Sequence, residues 1–264
     1  MNPRMGAQFD IQYVFEYFVK LLPFIQISLF IVASSIVLGL LFGLLAALPR
    51  LYRVPVLQRL SQLYASFFRG TPILIQLFLL YYGLPEVLKL VHIDITRLPV
   101  LVFVILVYGL HSGAYVSEGI RAAVSAVDRG QVEAAYAVGM NGFQAFTRIV
   151  FPQAIAIAVP ILANLVIATL KDTSLAFTLG VMELTGKSQT LATMSRHFIE
   201  SYIALAAVYF LLSIALERLF LLAERRMLKH ERDTGKTEKV PLGKKWLKKR
   251  TNAAIALSKG GTGA

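Results

Sequence analysis

The chain has 264 residues, 56% of them hydrophobic and only 16% charged, and this composition excludes an ordinary soluble globular domain. There is no cysteine, which excludes a disulfide framework and any cysteine-based metal or nucleophile site. The formal net charge is +12, but residues 225–264 alone hold 12 Lys and Arg against three acids. We therefore expect an integral membrane protein with a locally basic tail.

The basic tail does not indicate a nucleic-acid-binding protein. It contains one tryptophan and no recognised binding motif, and it follows an apolar helix. A juxtamembrane segment attracted to the anionic cytoplasmic leaflet explains the charge better. We expect residues 233–264 to form a basic, disordered cytoplasmic tail, with membrane lipid but no nucleic acid among the partners.

Five segments are apolar enough to cross a bilayer, which takes about 20 residues in a helix. They lie at residues 21–49, 60–85, 98–117, 149–170 and 201–216. The second is interrupted by Arg69 and Gly70 and contains Pro72, so it is not a regular helix. A further apolar stretch, 173–182, has only ten residues and is typical of a re-entrant or buried segment.

Five spans place the termini on opposite sides, and the positive-inside rule assigns the basic C-terminus to the cytoplasm. The predicted fold is all-α, with the N-terminus outside the cell membrane. We expect residues 1–20 to be an extracytoplasmic segment and residues 21–232 to be one transmembrane domain. The loop at residues 119–154 then faces the cytoplasm.

That loop carries the one amphipathic, glycine-punctuated pattern of the chain, QVEAAYAVG at residues 131–139. Asp128 can cap a short helix and Gly139 can end it in a left-handed conformation. Asn141 can cap a second helix, whose apolar stripe is Phe143, Phe146, Ile149 and Val150. The pattern predicts a short helix, a turn and an amphipathic helix at the membrane face, suited to docking another protein.

In this loop Glu133-Ala-Ala is followed by three residues, then Gly139, then nine residues and finally Ile149-Val-Phe-Pro152. This spacing resembles the EAA signature of ABC importer permeases. Phe151 stands where the family usually has Leu. The segments SFFRGTP at residues 66–72 and LKDTSL at residues 170–175 are similar to blocks of polar-amino-acid permeases. The segment at residues 179–191 is most similar to Gram-positive L-cystine permeases.

The resemblance implies a five-helix ABC importer permease (MetI-like) fold that works by alternating access in the cell membrane of a bacterium. It also implies two cytoplasmic ATPase subunits, a second permease chain (identical or a paralogue), an extracytoplasmic solute-binding protein and a coupling helix that inserts into the ATPase. The residues that it assigns to coupling are Glu133, Ala134, Ala135, Gly139, Ile149 and Pro152.

The chain itself lacks an ATPase motif. GKS at residues 186–188 and GKT at residues 235–237 imitate the end of a P-loop, but Val181 and His230 stand where the first glycine is required. We expect no enzyme activity, no catalytic residue and no cofactor in this chain, with ATP and Mg²⁺ used by the partner ATPase. Four dispersed histidines also predict no metal site.

Several polar residues near the spans are candidates for a substrate path. Arg69 either faces the bundle interior or snorkels to the cytoplasmic interface. Glu118 either pairs with Arg121 one turn later or contacts substrate. The candidate substrate-path residues are Arg69, Thr71, Glu118, Lys171, Asp172, Thr173 and Ser174.

Lys171 and Asp172 could bind the two charges of a zwitterion at a broken helix, or form a local ion pair that shapes the outer loop. We interpret Gln26 and Gln76 as residues that form hydrogen bonds between helices, and His111 as a satisfied interior histidine.

The sequence therefore predicts a permease subunit for polar amino acids, with L-cystine favoured and arginine, glutamine or glutamate as alternatives. A self-contained secondary carrier would need acids deep in the spans and an inverted repeat, neither of which is apparent. A membrane scaffold would not need the interrupted second span.

Overall fold

The structure is a computed structural model that describes residues 8–227, and these residues form helices and no strand. The helices are α1 Ile11–Leu21, α2 Ile25–Leu51, α3 Pro55–Gly70, α4 Ile73–Phe78, α5 Leu84–Lys89, α6 Val100–Ser125, α7 Arg129–Ala137, α8 Gly142–Ala145, α9 Phe151–Asp172, α10 Leu184–Ser195 and α11 Phe198–Met227. Short 3-10 turns join α1 to α2 and follow α9, whereas π turns join α4 to α5 and α8 to α9. The predicted tail at residues 233–264 lies outside the described residues.

Within residues 8–227, four helical stretches are long and apolar enough to cross a membrane. They are Ile11–Leu51, Val100–Ser125, Gly142–Leu179 and Phe198–Arg225. The pair Pro55–Gly70 and Ile73–Lys89 passes the same test together but bends by 113°. Counted as one crossing, the bent pair gives the five spans predicted from the sequence.

The directions of α2 and α6 show why the bent pair must cross. Gly39 packs beside Ser112, and Arg50 bonds Glu118, so the two helices run side by side in the same direction. The end of α2 and the start of α6 therefore lie at opposite ends of the bundle. The chain from α3 to α5 has to return between them.

Small residues let α2 and α6 pack closely. A Cβ atom added at Gly39 would lie 2.8 Å from the Cβ of Ser112, and one added at Gly109 would lie 2.8 Å from the Cβ of Leu38. Gly43 and Gly113 are equally restricted, by Val116 and Phe42. Close backbone approach through small residues is a main source of helix association in membranes, where lipid is as apolar as leucine.

The bend between α3 and α4 results from Thr71 and Pro72, which are both extended, with ψ of 144° and 137°. Proline has no N–H, and it forces the residue before it out of the helical region. The last carbonyls of α3 thus lose their helical donors. The amide of the fully buried Gln76 replaces them, donating to the carbonyl oxygens of Phe68 and Thr71, each at 2.8 Å.

The N-terminal helix α1 packs on α10 and α11. Tyr17 and Leu21 of α1 are buried against Leu184 of α10 and Leu205 and Val208 of α11. Residues 11–20 of the predicted extracytoplasmic segment are therefore helical, and α11 runs about three turns beyond the predicted fifth span. The charged Glu217 and Arg218 are compatible with that extension, because a helix can continue past the apolar layer.

The glycine packing predicts unequal effects of the same substitution. Gly43→Ala should destabilise the fold by about 1–3 kcal/mol, because its Cβ would overlap Val116 of α6. Gly70→Ala is the control, because no heavy atom lies within 4 Å of its added Cβ. Thermal melting of the two variants in detergent would measure the difference, and equal melting temperatures would contradict the close packing.

Candidate functional site

The predicted coupling helix is present as α7. The carboxylate of Asp128 caps it, accepting from the backbone N–H of Gly130 at 2.7 Å. Gly139 follows with φ of +83°, a left-handed conformation that favours glycine. The predicted cap and the predicted stop are both confirmed.

The second helix of the loop begins at the predicted residue. The side chain of Asn141 accepts from Gln144 N–H at 2.9 Å, and the Gln144 side chain accepts from Asn141 N–H at 3.0 Å, which completes a capping box. From there the chain remains helical through the π turn into α9. We call residues 129–150 the coupling segment.

The coupling segment is anchored on one side and exposed on the other. Ala135 is buried, and Val150 packs with Ala123 and Val127 at the end of α6. The side-chain amide of Gln153 on α9 donates to Gln131 Oε1 at 2.7 Å. The segment is therefore fixed to the ends of both spans that it connects.

The exposed side of the coupling segment combines a charge with apolar side chains. Glu133 and Ala134 are exposed, and Glu133 forms no ion pair with any described residue. Tyr136, Val138 and Phe143 are exposed by 54%, 75% and 77%. Exposed aromatic residues beside an unpaired charge are typical of a protein-docking surface.

The last two predicted coupling residues lie where the coupling segment joins α9. Ile149 is half-buried in the π turn, and Pro152 is exposed at the start of α9.

A cavity of about 330 Å³ lies between α6 and α9. Its polar lining residues are His111, Tyr115, Asn164 and Asp172. Val116, Ile161, Leu162, Leu165 and Ala168 form the apolar part of its wall. Polar groups that converge in a mostly apolar cavity are the usual form of a small-molecule site, and we call this one the α6–α9 cavity.

A hydrogen bond joins the wall of the α6–α9 cavity to the bend in the second span. His111 Nδ1 lies 3.0 Å from Oε1 of Gln76, the residue that replaces the missing donors at the bend. The interpretation of Gln76 as an interhelical hydrogen-bonding residue is confirmed. One nitrogen of His111 is satisfied in the same way.

Glu118 lies about two turns further along α6 and holds three arginines. Its carboxylate is 2.5 Å from Arg50 Nη1, 3.4 Å from Arg69 Nη1 and 2.9 Å from Arg121 Nη2. The predicted pair with Arg121 is confirmed, and the structure adds arginines from α2 and α3. We call these four residues the arginine cluster.

Arg69 also connects the arginine cluster to the cavity. Its guanidinium lies 5.6 Å from the ring centroid of Tyr115, which lines the α6–α9 cavity. Such an approach of a cation to an aromatic face is attractive. Thr71, the next candidate along the chain, is half-buried at the bend, where its hydroxyl donates to the carbonyl oxygen of Phe67 at 2.8 Å.

The four candidates at the end of α9 and in the turn that follows it have different surroundings in the structure. Asp172 lines the α6–α9 cavity, and its backbone oxygen accepts from Tyr108 Oη at 2.6 Å. Lys171 is exposed and forms no ion pair with a described residue, so the local Lys171–Asp172 bridge is absent there. Thr173 is buried and donates to Leu170, whereas Ser174 is half-buried. Only Asp172 of the four lines the cavity.

A buried carboxylate fixes the turn after Asp172. Glu183 is fully buried, caps α10 through Gly186 N–H at 2.9 Å and accepts from Tyr209 Oη at 3.1 Å. Burial raises the pKa of Glu183. The Tyr209 hydroxyl also lies 3.5 Å from Thr173 Oγ1, so α11 supports the residue next to Asp172.

Sequence analysis did not identify two residues that line the α6–α9 cavity, and it did not assign a third to a substrate site. Tyr115 and Asn164 were not singled out, although an Asn inside an apolar span is itself a signal, and His111 was interpreted as fully satisfied. The interpretation of Gln26 as an interhelical hydrogen-bonding residue is wrong. Gln26 forms no interhelical hydrogen bond among the described residues, because it is exposed in the first turn of α2, beside a cavity of about 600 Å³.

Known proteins of one kind share this architecture. Residues 39–229 match the family model described as "Binding-protein-dependent transport system inner membrane component". The chain is 43% identical over 227 residues to the L-cystine transport system permease protein TcyL of Bacillus subtilis (strain 168), covering 86% of this chain and 95% of that one. It is 42% identical over 220 residues to the probable amino-acid permease protein YxeN of the same organism, covering 83% of this chain and 96% of that one.

A solved structure agrees with these sequence matches. The crystal structure of an amino acid ABC transporter with histidines has 30% identity and a TM-score of 0.75, over 83% of this chain and all of that chain. The resemblance read from the EAA motif is thereby confirmed. The chain belongs to the family of inner membrane components of binding-protein-dependent transport systems, and it is an ABC importer permease.

Proposed function

We propose that this permease carries polar amino acids, with L-cystine as its substrate, through the α6–α9 cavity. The observation that carries the proposal is the convergence of His111, Asn164 and Asp172 on one cavity inside otherwise apolar spans. Polar residues in spans are costly and are kept where they serve a path or a site. The 43% identity to a protein named as an L-cystine permease supports the choice of substrate.

The cavity suits a zwitterion because its two ends differ in charge. Asp172 offers a carboxylate to a substrate ammonium group at one end. At the other end, Arg69 lies against Tyr115, next to a cluster with three guanidinium groups for one carboxylate. A substrate carboxylate would be attracted to that excess of positive charge. Arginine, glutamine and glutamate carry the same two groups and remain the alternative substrates.

In this proposal the coupling segment transmits movements driven by ATP hydrolysis to the spans around the cavity. In our proposal the exposed face with Glu133, Tyr136 and Phe143 docks on a separate cytoplasmic ATPase, which uses ATP and Mg²⁺. Movement of α7 acts on the end of α6, because Val132 of α7 packs against the cluster that contains Ala123 and Val127. The arginine cluster then links α6 to α2 and α3. Rocking of these spans would alternate access to the cavity.

The cavity also needs a partner on its open side. Asn164 and Ala168 of α9 are exposed in the single chain, and an exposed amide is unfavourable against lipid tails. We infer that this face of α9 meets a second permease chain, identical or a paralogue. An extracytoplasmic binding protein would deliver substrate to the opposite end of the spans.

Uptake measurements test the proposed substrate. Deleting the gene should abolish most high-affinity uptake of labelled L-cystine by intact cells, and only excess unlabelled cystine should compete strongly in the parent strain. Competition by arginine, glutamine or glutamate instead would replace the substrate and keep the importer. Unchanged uptake of all four after deletion would refute the proposed function.

Charge reversal at the coupling segment tests the docking surface. Glu133→Lys should reduce ATP-dependent uptake roughly tenfold or more, because a like charge would face basic groups on the ATPase. Glu217→Lys is the control, since Glu217 is exposed near the cytoplasmic end of α11 but lies outside the coupling segment. Copurification of the ATPase would show whether docking is lost, and normal uptake by Glu133→Lys would contradict the coupling role.

The arginine cluster makes a separate prediction about stability. Glu118→Gln should cost about 2 kcal/mol and lower uptake, because it removes the charged acceptor that holds α2, α3 and α6 together. Glu86→Gln should cost far less, because Glu86 is exposed and pairs only with Lys89. Melting in detergent compares the two, and equal losses would show that the arginine cluster has no special role.

A further inference from the structure

The side-chain amide of Gln76 can take only one orientation. Its Nε2 lies 2.8 Å from the carbonyl oxygens of both Phe68 and Thr71, which accept hydrogen bonds and cannot donate. Thr71 Oγ1 lies 2.9 Å from the same nitrogen. A flipped amide would place an oxygen against two carbonyl oxygens. The Oε1 atom of Gln76 must therefore be the atom that faces His111.

This orientation fixes the tautomer of His111. Oε1 of Gln76 only accepts hydrogen bonds, so Nδ1 of His111 at 3.0 Å must carry the proton of that bond. An ordinary imidazole is mostly uncharged at neutral pH, and a neutral ring has one N–H. The lone pair is then on Nε2. The ring thus offers an acceptor on the side away from Gln76.

His111 lines the α6–α9 cavity, so this cavity is the open space available to that acceptor. Its Nε2 forms no hydrogen bond with any residue that the structure describes. Asp172 and Asn164, which line the same cavity, add carboxylate and amide oxygens. An ammonium group has three donors and no acceptor, so a set of acceptors of this kind matches a primary ammonium group.

We propose that His111 binds the ammonium group of the transported amino acid through Nε2, and that Gln76 is a positioning residue which holds the ring in this tautomer. The inference rests on the proposed function and deepens it. It assigns His111 to the substrate, and it makes one residue, Gln76, responsible for both the bend in the second span and the chemistry of the cavity wall.

Two replacements of His111 separate its two nitrogens. Asn places an amide near the position of Nδ1, so His111→Asn keeps the bond to Gln76 and loses the acceptor in the cavity. Gln reaches further, so His111→Gln offers an amide oxygen near the position of Nε2. The control is His92→Asn, because His92 is exposed in a loop with φ of +62°, a conformation that Asn tolerates.

The measurement is equilibrium binding to the purified permease–ATPase complex in nanodiscs, without the binding protein. The ligands are labelled L-cystine, or the amino acid that the uptake test identifies, and its fully N-acetylated form. For cystine this form is the N,N′-diacetyl derivative, because cystine has two ammonium groups and both must be removed. The quantity compared is the ratio of the two dissociation constants. Structural damage would weaken both ligands alike and leave this ratio unchanged.

In the wild-type complex the N-acetylated ligand should bind far more weakly than the free amino acid. His111→Asn should reduce this discrimination about tenfold, as expected for the loss of a hydrogen bond to a charged group. His111→Gln should retain it within about threefold, and His92→Asn should not change it. Gln76→Leu should reduce it as well, because the ring is then free to change tautomer.

The inference would be overturned if the ratio of dissociation constants in His111→Asn equalled the wild-type ratio. It would also be overturned if the wild-type complex bound none of the amino acids. Neither result would refute the proposed function as long as uptake still depends on the gene. Loss of that dependence would refute the proposed function by itself, so the two failures are distinguishable.

Discussion

The constraint on which this structure depends is that a backbone polar group inside a membrane must find a partner within the protein. The second span breaks the helix that would normally provide it, at Thr71 and Pro72. The buried amide of Gln76 donates to Phe68 and Thr71 and so makes the 113° bend tolerable. Because the span bends there, α3 can bring Arg69 to α6 while α4 returns along the bundle. The parallel arrangement of α2 and α6 requires that return.

Helix α6 connects all the functional features that we describe. Towards its start, Tyr108 donates to the backbone of Asp172, and one turn later His111 bonds Gln76 at the bend. Glu118 then holds the arginine cluster, and the helix ends where Ala123 and Val127 pack against the coupling segment. A rigid helix in contact with the bend, the cavity and the coupling segment can transmit a displacement between them directly. Its glycines serve the same purpose, because they allow α2 to pack against it as one unit.

The distribution of charge fits transport of a zwitterion better than transport of a single ion. Acceptors are concentrated around His111 and Asp172, whereas guanidinium groups are in excess around Glu118. The two groups are separated along α6, with Tyr115 between them. The buried Glu183 does not line the α6–α9 cavity. It caps α10 and supports the turn next to Asp172 through Tyr209, which is a structural use of a carboxylate.

The sequence by itself determined the features that depend on neighbours along the chain. Apolar segments of sufficient length gave the five spans, and Asp128, Gly139 and Asn141 gave the bounds of the coupling helices, because a cap acts on a backbone within three residues of it. The EAA spacing likewise gave the family. Only the tertiary structure decided which polar residues meet. Arg50 contacts Glu118 across 68 residues of sequence, and Gln76 contacts His111 across 35. Lys171 and Asp172 are adjacent in sequence, but Lys171 is exposed and the two form no ion pair. Such contacts depend on how the helices pack and bend, and a local pattern contains no information about that geometry.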